Sequence, residues 1–382
     1  IFDALNNPQD GSFHDERIAF SNAGSQLFLS MGVVSPVMVA KNLNSLLQSK
    51  RVEWLREELD GDTRRNLVWA LENICRHEAA FADAAKCLAR FAVAENENFS
   101  NNATGLFVQL FHIYLSGTKA NFKQRISLLQ ELRTDESYLP LILKAIDNAF
   151  NTGPFHRSNT CGIEEMDDDY TPNGQEIHFY WRDCSIILKS IIGQRDDMLQ
   201  EVKNMFERHI VELARVGAKD VLFDILDYIG GKCNYDWIEA RNALAQYLER
   251  WFDKTKEQRL EYQAMQDKFV PKNFYDKLMA FVKDNHCKIG EKYQTFAKNM
   301  EERMMPLADE FVVDKIYEKV DFVKLLTDKQ LYNNWFIKDL AILSKDQVVL
   351  VAILKATHNI VLSLDKEYVG NFIPNYISFI NY

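Results

Sequence analysis

From Asp62 to Glu97 the apolar positions recur at helical spacing: Leu67, Leu71 and Ile74, with Trp69 and Ala70 beside them, then Phe81, Ala84, Ala85, Leu88 and Phe91. This pattern predicts two amphipathic helices in tandem. Asp60-Gly61 breaks the helix before them, and Asp62 or Thr63 is placed to cap the first. Small Ala79, Ala80, Ala82 and Ala84 allow close helix contact, so the pair reads as an antiparallel hairpin. A second hairpin follows. Asn101 or Asn102 caps a helix carrying Leu106, Phe107, Leu110, Phe111 and Tyr114; Ser116-Gly117-Thr118 then supplies a glycine stop beside a new cap, and Ile126, Leu128, Leu129 and Leu132 resume the pattern. The two hairpins start about 39 residues apart, a spacing typical of paired-helix repeats. A third helix is predicted over 138–150, with Pro140 accommodated in its first turn.

Residues 151–175 lose this periodicity and concentrate Asn, Gly, Pro and acid, which predicts a long exposed loop. From Ile177 helical patterning returns through Leu199, Val202, Met205, Phe206, Ile210 and Leu213, with Gly217, Gly230 and Gly231 expected to punctuate shorter helices. Trp237, Ala240, Leu244, Tyr247, Leu248 and Trp251 form a further packing stripe. Beyond Lys254, Pro271 and Pro306 are expected at helix starts or breaks, and residues 347–364 form a strongly apolar segment. That segment is rich in β-branched residues, but it lacks strict alternation and reads as a helix. Interrupted by Lys355, His358 and Asn359, it is a buried helix rather than a membrane span of about 20 apolar residues. The resulting expectation is an all-α chain of antiparallel hairpins stacked as a TPR/HEAT-like right-handed solenoid. Its segments are 1–151, 152–253 opening with the loop at 152–176, and 254–382.

Composition agrees with long elements and short connections, since 382 residues contain only 15 Gly and 8 Pro. The net charge of −10 argues against a surface that tracks phosphate. The acid is concentrated in 152–253, which holds 11 basic against 19 acidic residues, whereas 254–306 has 11 against 8. A continuous basic stripe there would be needed to revive nucleic-acid binding. Six scattered cysteines with no C-x-x-C point to a reducing cytoplasm; Cys75, Cys87 and Cys184 fall on helix stripes as core residues. The sequons at Asn98 and Asn102 read as polar residues at a helix terminus. The first residue is Ile1 rather than Met, as expected of a fragment.

Reactive motifs fail at specific positions. Gly231-Lys232 is preceded by Leu226 where a P-loop needs its first glycine. His77-Glu78 lacks the second histidine of a zinc helix. A calcium loop from Asp169 would have Thr171, Asn173 and Gly174 in place but Tyr180 at its twelfth position, where a bidentate Glu is required. Read as a magnesium-diphosphate motif, Asp167-Asp168-Asp169 is followed by Thr171 where another Asp is needed. No G-x-S-x-G elbow is present. The carboxylate pairs Asp224/Asp227 and Glu164/Glu165 acquire an acid/base role only with suitable geometry. No cofactor, metal or catalytic residue is assigned.

Residues 64–125 resemble the helical region downstream of the nucleotide-binding core in large bacterial STAND-type NTPases, including antiviral defence proteins. The resemblance rests on Trp69-Ala70-Leu71-Glu72, Phe81, Ala84-Ala85, Leu88, Ala94-Glu95-Asn96, Asn101-Asn102-Ala103-Thr104-Gly105, Leu110-Phe111 and Leu115-Ser116-Gly117-Thr118. It implies a non-enzymatic sensor segment that binds a foreign protein, such as one from a phage, and controls an NTPase elsewhere in a parent chain, through which homo-oligomers form. Effector and NTPase motifs are missing here, as expected of the sensor part alone. The corresponding partner-binding candidates are Asn98, Asn101 and Asn102 in one turn, and His156, Arg157 and Tyr170 in the acidic loop. The alternatives are a general helical interaction scaffold, or an all-helical metal-dependent diphosphate enzyme, which would require Asp167–Asp169 and Asp224/Asp227 to converge.

Overall fold

A computed structural model of the chain describes residues 1–59, 61–155, 169–251, 255–284 and 293–316, with Val351 and Lys355. Among these residues the fold is all-helical and contains no strand. The apolar segment expected as a helix over 347–364 lies outside the described residues, apart from helical Val351 and Lys355. The chain divides into two compact units, residues 1–229 and 230–382. The expected boundary at 151/152 falls inside the first unit, and that at 253/254 inside the second.

The first unit opens with two single turns, α1 (Phe2–Leu5) and α2 (Glu16–Ala19), and then a hairpin of α3 (Asn22–Val34) and α4 (Pro36–Gln48). A short α5 (Val52–Glu57) leads into the predicted hairpin, α6 (Gly61–Cys75) and α7 (Phe81–Val93). These two hairpins are stacked, α3 on α6 and α4 on α7. Close approach is possible because α3 carries Gly32, where a Cβ would stand 3.0 Å from the Ile74 side chain. Leu67, Val68, Ala70, Leu71 and Ile74 of α6 are all buried. Asp62 and Thr63 do not cap this helix. It starts one residue earlier at Gly61, whose φ of 52° lets the chain turn directly into the helix at a position where a side chain would be strained.

The next elements are α8 (Ala103–Gln109), α9 (Phe122–Leu132) and α10 (Leu139–Phe150). Asn102 caps α8 as expected, accepting from the Gly105 amide at 2.8 Å. Helix α8 is shorter than predicted and ends before Tyr114. The amides of Leu110, Phe111 and His112 each bond three residues back, and the chain then leaves the helix. Thr118 is not the next cap. Asn121 takes that role in a reciprocal capping box with Gln124, whereas the Thr118 hydroxyl accepts from the Ala120 amide. Pro140 occupies the first turn of α10, as predicted.

Helix α11 (Gly174–Gln194) packs on both α9 and α10. Next come α12 (Leu199–Phe206), α13 (Ile210–Arg215) and α14 (Lys219–Lys232). Gly217 ends α13 in a Schellman motif at φ 82°, with the Ala218 amide donating to Leu213 O and its own amide to Ala214 O. Gly230 and Gly231 lie in the last turn of α14, which ends one residue later at Lys232. The turn comes later at Asn234 and Tyr235, with φ of 51° and 58°.

The second unit contains α15 (Ile238–Arg250), α16 (Lys256–Lys268), α17 (Phe274–Asp284) and α18 (Tyr293–Val313). Helix α15 packs on α16 and α17 through Ala240, Leu244, Tyr247 and Leu248, whereas Trp251 at the end of the predicted stripe is 49% exposed. Pro271 lies in the α16–α17 connection. Pro306 lies inside α18 rather than ending it. The ring removes one donor, from the bond that would reach Glu302 O.

One charged side chain ties α5, α6 and α7 together. Arg64, fully buried in the first turn of α6, donates through Nη1 to Leu55 O and through Nη2 to Phe91 O, both at 2.8 Å. Its Nη2 also meets Glu95 Oε1 at 3.4 Å, and Glu97 Oε2 lies 3.8 Å from Nε. Burial pulls the guanidinium's pKa down, against the attraction of Glu95 and Glu97. Glu97 is moved the opposite way by the same cause. The cluster therefore carries a desolvation cost and contributes through the carbonyls it satisfies. Arg64→Met leaves those carbonyls buried without a donor and is expected to lower the unfolding free energy by about 3 kcal/mol, read as a reduced midpoint in urea with an unchanged slope.

Candidate functional site

The connection between α8 and α9 is held by buried groups on several sides. Its organiser is Arg125, the fourth residue of α9 and completely buried. Nε donates to Ala120 O at 2.9 Å, Nη1 to His112 O at 2.7 Å and Nη2 to Ser116 Oγ at 2.9 Å. The planar fork thus holds three points of the loop at once. Among the described residues no carboxylate forms an ion pair with it. Its cationic carbon lies over the rings of Phe122 and Tyr170 at 5.2 and 5.7 Å. Burial draws its pKa down, opposed by Tyr180, Asp169 and Tyr170.

Two outer layers lock this loop. The Asp169–Asn173 strap crosses it: Asp169 Oδ2 accepts from Gly117 N and Tyr170 N donates to Thr118 O, both at 2.9 Å. Tyr170 OH donates to Glu176 at 2.7 Å in the first turn of α11, and its hydroxyl pKa is pushed up to about 12 by burial and by that carboxylate. Beneath the strap, Phe122 stacks on Tyr180 at 3.9 Å, while Tyr180 OH donates to Phe111 O at 3.0 Å.

The outcome is a loop tip of fixed shape. Leu115 adopts φ 52°, a left-handed conformation that a leucine reaches only against a steric cost of about 1–2 kcal/mol, and its side chain is 44% exposed. Tyr114 beside it is 39% exposed and meets Phe155 edge-on at 5.6 Å. His112 closes the base of the tip, with Nε2 3.0 Å from Asn148 Oδ1. Its Nδ1 is buried without a hydrogen-bond partner among the described residues. Burial accordingly depresses the His112 pKa.

The sequence candidates occupy two separate loops. Asn98 is exposed in the α7–α8 turn, Asn101 is half-buried there, and Asn102 is used up as the α8 cap, its Nδ2 donating to Glu97 O at 2.8 Å. This turn is stapled from within by Glu95, which accepts from Arg64 and from the Thr104 amide. Tyr170 is the strap residue just described, and His156 and Arg157 lie outside the described residues. Asp169 and Asp224 are committed to different partners: Asp169 to Gly117, and Asp224 to Ser185 and Lys189. Asp167 and Asp168 are outside the described residues, and among those described no group of three or more His, Cys, Asp or Glu is placed to hold a metal. Cys75, Cys87 and Cys184 are buried free thiols whose pKa values are raised by burial.

Arg125, Tyr114 and Leu115 are absent from the sequence candidates. A signal for Arg125 exists in the chain: a cation in the first turn of a helix opposes the macrodipole, so an arginine directly behind the Asn121–Gln124 box has some other task.

Two changes probe this arrangement. In Arg125→Lys a compact ammonium replaces the fork and cannot reach all three acceptors, so a loss of about 2 kcal/mol is expected in chemical denaturation. For His112 the unfolded chain takes a proton more readily than the folded one. The stability contributed by neutral His112 is therefore complete above the ordinary histidine pKa of about 6.5 and is lost as pH falls below it. Parallel urea titrations at successive pH values should show a smaller acid-side loss in His112→Gln than in the parent. Compared with known protein families, curated proteins and solved structures, the chain has no significant match, and its function must be argued from this geometry.

Proposed function

We propose that the chain is a non-enzymatic helical-repeat recognition module that binds a protein ligand, with the Tyr114–Leu115 tip as part of the contact surface. The observation that carries this reading is an exposed leucine held in left-handed backbone geometry by a wholly buried arginine. Strain of that kind persists only where the surroundings over-determine it, and the feature it presents is a half-exposed tyrosine, braced edge-on by Phe155, beside an exposed leucine that a partner's pocket could take.

The repeat reading is supported by the stacking of α3/α4 on α6/α7, whose first helices begin at Asn22 and Gly61, 39 residues apart. Stacked hairpins of the TPR/HEAT kind leave their inter-helix loops along one edge, where a folded ligand can meet several at once. The resemblance of residues 64–125 to STAND-type sensors gives the proposal its biological form: the ligand is a foreign protein, such as one from a phage, in the bacterial cytoplasm, and the NTPase it controls belongs to a parent chain.

The test is capture from phage-infected and uninfected bacterial lysates by the parent chain, by Tyr114→Ala and by Leu115→Gly. Glycine at 115 adopts the observed φ without steric cost, so this variant is expected to be as stable as the parent or more stable by up to about 1 kcal/mol, yet to lose infection-specific capture. Undiminished capture by both variants removes the tip from the surface. Absence of any infection-specific protein on the parent chain removes the defence reading itself.

A further inference from the structure

We infer that the outward face of α3 is a self-association surface on which a second copy of this chain packs antiparallel about a twofold axis. The inner face of α3 is fully used: Gly24, Ser25, Phe28, Met31 and Gly32 are buried against its neighbours. Its opposite side carries Ala23, Leu27, Ser30 and Val34, all exposed, with Leu27 and Val34 at 51% and 63%. Their 4-3-4 spacing is that of a helix-pairing seam.

The charge pattern identifies the occupant. Charged residues make up 26% of the chain, yet between Arg17 and Lys50 the single charged residue is Lys41. Helix α3 therefore has no charge on either face, where a solvated helix of its length would carry about three. A molecule of net charge −10 repels its own copies through most of its surface, and an uncharged face is where two copies meet without that penalty.

Shape points the same way. A twofold axis midway between Leu27 and Ser30 sets Leu27 against Ser30 of the other copy, and Ala23 against its Val34. Each large side chain then faces a small one, so the seam is complementary to itself in the antiparallel sense. A parallel pairing would set Leu27 on Leu27 and Val34 on Val34, leaving gaps at Ala23 and Ser30. One helix crossing covers less than the roughly 800 Å² per partner of a standard interface, so the pairing is of moderate affinity.

The experiment is sedimentation equilibrium of the full 382-residue chain at concentrations up to about 100 μM, with circular dichroism to establish folding. The parent should rise from one to two chain masses. Leu27→Glu combined with Val34→Glu should stay at one mass with an unchanged helical spectrum. Phe179→Glu combined with Ile186→Glu, on the exposed side of α11, should dimerise like the parent. Oxidative cross-linking fixes the geometry: a mixture of Ala23→Cys and Val34→Cys proteins should link rapidly, and neither alone should. A parent that remains monomeric over the whole range, a dimer that survives the double glutamate change, or self-linking of Ala23→Cys alone overturns the proposal.

Discussion

The first unit depends on arginine taking up the carbonyl groups that helices leave without partners. Each α-helix ends in four such carbonyls, and the usual remedy is a glycine in left-handed geometry just past the end. This chain has 15 glycines, and the Schellman end of α13 at Gly217 shows what that remedy looks like here. Elsewhere guanidinium groups substitute for it. Arg56 reaches Val93 O, Arg90 reaches Gln48 O, and Arg64 takes Leu55 O and Phe91 O at once. In the second unit Arg259 donates to Leu248 O near the end of α15. A glycine cap is local to its own helix, whereas an arginine cap comes from another element, so each capped end is also a tertiary connection.

Arg64 and Arg125 carry the device furthest because both are wholly buried. Each is the fourth residue of its helix. Arg125 reaches back to the loop that precedes α9, whereas Arg64 joins α5 before its helix to α7 after it. The electrostatic cost is the same for both: a cation removed from water and placed where the helix dipole opposes it. They differ in what offsets it. Arg64 has Glu95 and Glu97 within ion-pair range, so the turn before α8 becomes an internal staple and Asn102 is drawn into capping. Among the described residues Arg125 donates to neutral acceptors and lies over aromatic faces, and these bonds go into holding a loop. This difference makes the α7–α8 turn structural and turns the α8–α9 loop into a shaped, outward-facing feature.

Much of this was legible in the sequence where the information was local. Periodicity located α6, α7, α9 and α10, since a helix face that must be buried repeats at 3.6 residues wherever it packs. Asn102 and Pro140 were readable because capping and first-turn chemistry act within a few residues. The misreadings lie where a distant group decides. Helix α8 stops short of Tyr114 although its apolar pattern continues, because the chain beyond it is committed to Arg125. Thr118 resembles a cap and is bypassed because the Asn121 box is the better one. Gly230 lies in the last turn of α14, where a Cβ would stand 2.6 Å from the Tyr235 ring, so the residue is small for packing. The tip itself was invisible in the same way, since its left-handed leucine follows from three hydrogen bonds made by a residue ten positions later.

The two candidate surfaces differ in what they require of the chain. The Tyr114–Leu115 tip is produced by buried order beneath it: a cation, a stacked aromatic pair and a strap all converge on one loop, at a cost in strain that folding alone gives no reason to retain. The α3 face is produced by omission. No strained residue holds it, its inner side packs like any other core helix, and its character comes from the absence of charge over a stretch where the rest of the chain is densely charged. Strain rewards a partner whose pocket matches one fixed shape. A neutral seam of alternating small and large residues matches itself under a twofold rotation, so the two features call for different partners.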